Sequence, residues 1–256
     1  MCYRRCAGFT LIELSIVLVI IGLVVGGITV GRDLIKAAEI RKEVADLTSY
    51  DAAVNTFRTK YNGIPGDFNQ TGVIPGLADN HIGDGDGFVT MNDLWIGSSP
   101  WEQLSKAGLI QGYYGNDQSY LVNDSCLANV SCPPTPFNAT SVHFMMGMSA
   151  MWGGYLYSSP LAGSNANISI TIFNGTGVAH SLTGNLTVDQ AYALDVKLDD
   201  GVAHSGRLMT ENAQGAGSGC VDGASADDPL DFTTFSYDYN LTTDTADDCW
   251  PVYVMR

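Results

Sequence analysis

From Phe9 to Val30 the chain runs FTLIELSIVLVIIGLVVGGITV, 22 residues in which Glu13 is the only charge. A bilayer-spanning helix needs roughly 20 consecutive apolar residues, so this stretch is long enough to cross a membrane. A secretory signal has a shorter apolar region and an A-x-A-like cleavage site, and neither feature is evident here. Glu13 requires a reason. A carboxylate in an apolar helix costs about 2.5–3.5 kcal/mol on insertion scales, and such residues are functional by default. Ahead of the span sits a short segment, MCYRRCAG, whose Arg4 and Arg5 favour an N-terminus on the inner side. Arg32, Lys36, Arg41 and Lys42 on the other flank weaken a simple charge count.

The helical pattern continues past the span. Apolar residues recur at Ile40, Val44, Leu47, Val54, Phe57 and Tyr61, with Tyr50 or Asp51 filling the missing turn. That spacing predicts one buried helical stripe. A helix from Phe9 to Tyr61 would be about 80 Å long at 1.5 Å per residue. Its first half would lie in a membrane, and its second half would pack on a globular head. Gly22, Gly26, Gly27 and Gly31 lower helix propensity within the span, which suits either local melting or close packing.

Gly8, Phe9, Thr10, Leu11, Ile12 and Glu13 together resemble the processing motif of type IV prepilins and type II secretion pseudopilins. The resemblance implies cleavage between Gly8 and Phe9 by a membrane-bound prepilin peptidase, with methylation of the new N-terminal Phe9. It also implies that Glu13 of one subunit neutralises the N-terminal amine of a neighbour, since pairing removes the penalty of two isolated buried charges. Many pilins carry a proline in the helix, and this chain departs from them in having none there. The implied organisation is a leader at 1–8, a transmembrane or filament-core helix at 9–30, an amphipathic helix at 31–61 and a head at 62–256. The implied fold class is α+β, a long N-terminal helix packed on an antiparallel β-sheet head.

Charge separates the two parts. After Tyr61 there are four Lys/Arg against 21 Asp/Glu, a net charge of −17. Such a head repels phosphate backbones, which argues against nucleic acid as a partner. The chain contains no H-E-x-x-H, G-x-S-x-G or P-loop, so no catalytic constellation is visible and the expectation is a non-enzymatic protein.

The helix is expected to stop at YNGIPGDF, where Gly63, Pro65 and Gly66 supply a turn. A second helix is expected around PWEQLSKAG, opened by Ser99 and Pro100 and stopped by Gly108. NTFRTKYNGIPGDF, the Gly/Asp-rich loop that follows and WEQLSKAGLIQGYY resemble a subgroup of prepilin-type proteins with enlarged heads, over roughly Asn55 to Tyr114.

That Gly/Asp loop, GLADNHIGDGDGFVTMNDLW, is a candidate calcium site. In an EF-hand-like alignment Gly87 takes the sharp turn, Asp84 and Asp86 are side-chain ligands, Phe88 offers a carbonyl, Thr90 holds a weak position and Asp93 closes the loop. Ile82 falls at the first position and cannot ligate, so Asp79 or Asn80 would have to compensate. A turn-rich loop without metal is the alternative.

Farther along, Ile168, Ile170 and Ile172 alternate as in a strand, TTFSYDYN and WPVYVMR read as late strands, and LTVDQAYALDVKLDDG reads as a helix capped by Thr187 and stopped at Gly201. Met145, Met146, Met148 and Met151 near His143 suit core packing better than a copper site. The four head cysteines allow three pairings, and sequence proximity favours Cys126 with Cys132 and Cys220 with Cys249. Disulfides imply an oxidising compartment. The segment between Cys220 and Cys249 holds eight Asp and no Lys or Arg, and it resembles the exposed disulfide loop of pilins.

The functional expectation is a structural subunit, a minor pilin or pseudopilin, held in the inner membrane with its N-terminus cytoplasmic and its head periplasmic. Assembly with other pilins or pseudopilins would then carry it into an extracellular pilus or a periplasmic pseudopilus. The alternative is a tip adhesin that binds a surface or glycan through the acidic C-terminal region.

Overall fold

The computed structural model describes residues 10–79, 81–87, 89, 100–115, 128–137, 141–146, 168–174, 186–203, 205–212, 219–221, 239–241 and 249–255. The chain divides into two compact units, Met1–Arg41 and Lys42–Arg256. Helix α1 covers Leu11–Tyr61.

In the first unit the apolar side chains from Leu11 to Ile35 stand exposed, and this part of α1 is long and apolar enough to cross a membrane. Two of its hydroxyls are satisfied along the helix itself. Ser15 Oγ donates to the Ile12 carbonyl and Thr29 Oγ1 to the Gly26 carbonyl, each at 2.9 Å. A bilayer tolerates only polar groups paired in this way. A methyl group added at Gly22, Gly26, Gly27 or Gly31 would meet nothing in the chain.

In the second unit the part of α1 after Arg41 buries Leu47, Ala53, Val54 and Phe57, while Val44, Tyr50 and Tyr61 are half-buried. Phe57, Tyr61 and Phe68 form an aromatic cluster with ring centroids 4.7–5.7 Å apart. The short helix α2, Pro100–Lys106, buries Trp101 and Leu104. The Trp101 ring meets Tyr50 edge-on at 4.9 Å. Gly108, at φ +71°, ends α2 with the Leu109 N–H donating back to the Leu104 carbonyl at 3.0 Å. Helix α3, Val188–Leu198, opens on a capping box in which Thr187 and Gln190 satisfy each other's backbone N–H.

Four strands complete the unit: β1 Ser141–Met146, β2 Ser169–Asn174, β3 Leu208–Asn212 and β4 Cys249–Val254. They form one antiparallel sheet in the order β1-β2-β4-β3. Residues directly opposite each other share a face, and residues two apart along a strand do too. His143 faces Ile172, Ile170 faces Tyr253 and Tyr253 faces Leu208, so these five line one face, and all five are buried. Thr171 and Val252, on the other face, are buried as well.

Proline inside a central strand is unusual because it cannot donate to a ladder. Here the β2–β4 pairing stops at Thr171 with Val252, one residue short of Pro251, while the β3 side continues through Thr210 with Pro251.

The α+β class and the long apolar helix agree with the sequence reading. β1 and β3 were not anticipated, and the strand expected at TTFSYDYN lies outside the described residues except for Tyr239 and Asn240.

Candidate functional site

The N-terminal turn of α1 is closed by Thr10 and Glu13. Thr10 N donates to Glu13 Oε2 at 2.8 Å, Thr10 Oγ1 donates to the same oxygen at 2.6 Å, and Glu13 N donates to Thr10 Oγ1 at 3.3 Å. This is a reciprocal capping box, in which a hydroxyl residue and a carboxylate three positions later satisfy each other's backbone. A carboxylate there also meets the positive end of the helix dipole. Glu13 therefore has hydrogen-bond partners within its own chain while its side chain stays on the exposed surface of the helix. The T-x-x-E spacing of this box is present in the sequence, where Glu13 reads equally as an isolated charge in an apolar run. Gly8 and Phe9 lie outside the described residues.

The Gly/Asp loop is organised by a residue that lies outside it. Asp67, buried in the turn after α1, accepts N–H groups from Gly85 at 2.7 Å and Asp86 at 3.0 Å on Oδ1, and from Gly87 at 2.9 Å on Oδ2. Gly85 and Gly87 take positive φ, +81° and +96°, which lets successive amides turn toward one carboxylate. The Gly83 N–H donates to the Phe68 carbonyl at 2.9 Å, and Asn69 Nδ2 donates to the Asp84 carbonyl at 3.3 Å.

Helix α2 closes the other side. Gln103 accepts from the Gly66 N–H at 2.7 Å and donates to the His81 carbonyl at 3.2 Å, and His81 Nδ1 lies 2.9 Å from Glu102 Oε2. The backbone is so close at Gly83 that an added Cβ would come within 2.4 Å of Asp67 Cα. Gly83→Ala is accordingly expected to destabilise the protein by about 1–3 kcal/mol, the usual cost of overpacking. Urea denaturation of the full chain in detergent measures it, and an unchanged midpoint would refute the close approach.

Carboxylate oxygens of Asp67, Asp84 and Asp86 lie within 4.8 Å of one another. Of the expected ligands, Asp84 and Asp86 belong to this group. Asp79 is described and does not, and Asn80, Phe88, Thr90 and Asp93 lie outside the described residues. Asp67 was not among the sequence candidates because it precedes Asp84 by a whole turn and loop, beyond the reach of a contiguous EF-hand alignment.

Cys220 and Cys249 form a disulfide with Cα atoms 5.1 Å apart. Cys132 is disulfide-bonded and buried, while Cys126 lies outside the described residues.

The deciding comparison concerns the N-terminal helix. Residues 3–29 match the prokaryotic N-terminal methylation motif. The methylation motif thus coincides with the exposed apolar stretch of α1 and includes Glu13 and its Thr10 cap. It is consistent with a type IV pilin-like or pseudopilin-like protein, and proteins of that type are usually structural rather than enzymatic. It covers the helix and leaves the head unassigned. No curated protein and no solved structure matches the chain.

Proposed function

We propose that this chain is a structural filament subunit, a minor pilin or pseudopilin of a type IV pilus or a type II secretion filament. The observation that carries this reading is the methylation motif lying on a helix whose apolar surface is exposed from Leu11 to Ile35. Prepilin peptidase cleaves after Gly8, Phe9 becomes the methylated N-terminus, and the exposed helix passes from the inner membrane into a bundle of like helices. Before assembly the head is periplasmic; afterwards it faces outward on a pilus or within the periplasm on a pseudopilus. The oxidising side of the membrane suits the Cys220–Cys249 bond.

N-terminal mass spectrometry of the membrane fraction, with and without prepilin peptidase, tests this. The expected mature terminus is N-methylated Phe9 only when the peptidase is present, and any other terminus overturns the processing claim.

Calcium is the finer proposal for the head. Three converging carboxylates are hard oxygen donors of the kind this ion takes. Added calcium is expected to raise the melting temperature of the full chain in detergent, and Asp84→Ala with Asp86→Ala to abolish the rise. A wild-type protein insensitive to calcium leaves a metal-free turn held by Asp67.

A further inference from the structure

Where the apolar run of α1 ends, two cations stand together without an acid between them. From Leu11 to Gly31 the helix rises about 30 Å at 1.5 Å per residue, the thickness of a bilayer's hydrocarbon core. Arg32 follows at once and Lys36 comes one turn later, both exposed. Residues four apart are neighbours on one helix face, and like charges at that spacing repel. Lys42 shows the ordinary arrangement, with Nζ 2.6 Å from Asp46 Oδ2 four residues on. Arg32 has Lys36 in that place instead.

The acids nearby do not fill the gap. Asp33 is turned by about 100° from Arg32 around the helix axis, and Glu39, three residues past Lys36, is half-buried. Among the described residues no carboxylate forms an ion pair with Arg32 or Lys36. Leu34, on the opposite side of the helix from the two cations, is 67% exposed. From Arg32 to Lys42 four cations outnumber Asp33 and Glu39, a net charge of 4 − 2 = +2, in a chain whose part after Tyr61 carries −17.

We propose that Arg32 and Lys36 form a phosphate-binding pair for the headgroup of an anionic phospholipid in the leaflet where α1 leaves the membrane. The inference rests on reading α1 as a membrane span. The guanidinium fork of Arg32 matches two phosphate oxygens, and the Lys36 ammonium adds a second charge one turn on. A lipid phosphate lies at the depth of these residues, directly outside the hydrocarbon, while Leu34 stays against the acyl chains. A zwitterionic headgroup brings its own ammonium to the phosphate and competes with the pair, so the selected lipid is one whose headgroup carries no cation. Position favours lipid over the carboxylates of a second copy, because Arg32 adjoins the last residue of the span.

Native mass spectrometry tests this on the full chain, released from detergent micelles holding equal amounts of phosphatidylglycerol and phosphatidylcholine with the same acyl chains. An anionic lipid surface is worth about fivefold per cation, lessened here by Asp33 and Glu39, so wild type is expected to retain phosphatidylglycerol over phosphatidylcholine by on the order of tenfold. Arg32→Gln with Lys36→Gln is expected to bring the ratio near parity. The charge-keeping Arg32→Lys with Lys36→Arg is expected to hold most of it, and Arg41→Gln, on the far side of the helix, to leave it unchanged.

Equal retention of the two lipids by wild type, a preference that survives the double Gln variant, or an equal loss in Arg41→Gln overturns the pair. Displacement of phosphatidylglycerol by inorganic phosphate, but not by chloride at the same ionic strength, identifies a free anion as the ligand and overturns the lipid assignment. Dimers in place of bound lipid would assign the pair to carboxylates of a second copy and overturn it as well. A mature terminus other than Phe9 leaves this ratio untouched, and parity here leaves processing intact, so the filament reading and the lipid pair fail separately.

Discussion

Glu13→Gln is expected to leave cleavage after Gly8 intact and to lower incorporation into filaments by on the order of 100-fold, read as the ratio of sheared filament to membrane-retained subunit. The magnitude is that of an unpaired charge in hydrocarbon, about 2.5–3.5 kcal/mol. The choice of Gln separates a role seen in the structure from one that belongs to the proposed filament. Glu13 caps its own helix through Thr10, and in the proposed filament it also neutralises the amine of a neighbouring Phe9. Gln keeps the capping acceptor and loses the charge. Thr10→Val does the reverse, removing the hydroxyl while keeping the carboxylate, and a lost cap costs only about 1 kcal/mol. A severe Gln variant beside a mild Val variant supports charge pairing between subunits. The opposite ranking assigns Glu13 to local helix capping and removes it from assembly.

Loss of the His143 imidazole is expected to be the most damaging single truncation in the head. His143 Nε2 and Glu43 Oε1 lie 2.6 Å apart, and both side chains are 0% exposed. Tyr50 covers the imidazole edge-on at 5.2 Å. Among the described residues, neither Glu43 Oε2 nor His143 Nδ1 has a partner. Each group thus depends on one contact. His143→Ala strands a buried carboxyl, and Glu43→Ala strands a buried imidazole, each at about 3–5 kcal/mol. The paired change Glu43→Leu with His143→Phe removes both polar groups and is expected to recover most of that loss, because a buried polar pair is often replaceable by apolar residues of similar volume. Denaturant midpoints for the two single variants and the double variant decide it, and additive losses would mean that the two residues are not coupled.

The same pair marks where sequence reasoning stopped. Leu47, Val54 and Phe57 were legible because apolar residues at helical spacing have only one economical place to go. Glu43 follows Arg41 and Lys42, so its pattern reads as a solvated charged turn, and only a partner a hundred residues away explains its burial. Asp67 was hidden for the same reason, since its three N–H donors lie 18 to 20 positions onward. Local chemistry was more readable. The Thr187 cap, the Gly108 and Gly201 turns and the alternation around Ile170 each depend on a few adjacent residues, and each is found where it was expected. Strand β1 falls in a Met-rich stretch whose composition resembles any buried segment, and β3, LMTEN, is too short and mixed to show a period.

Strand β4 has a mechanical consequence. It lies between β2 and β3, so pulling it lengthwise must shear two ladders at once, and its first residue, Cys249, is bonded to Cys220. A tug on the chain at Cys220 therefore reaches the middle of the sheet through a covalent bond, without first peeling an edge strand. In the proposed filament, a load applied at Cys220 would therefore be shared by two ladders rather than one.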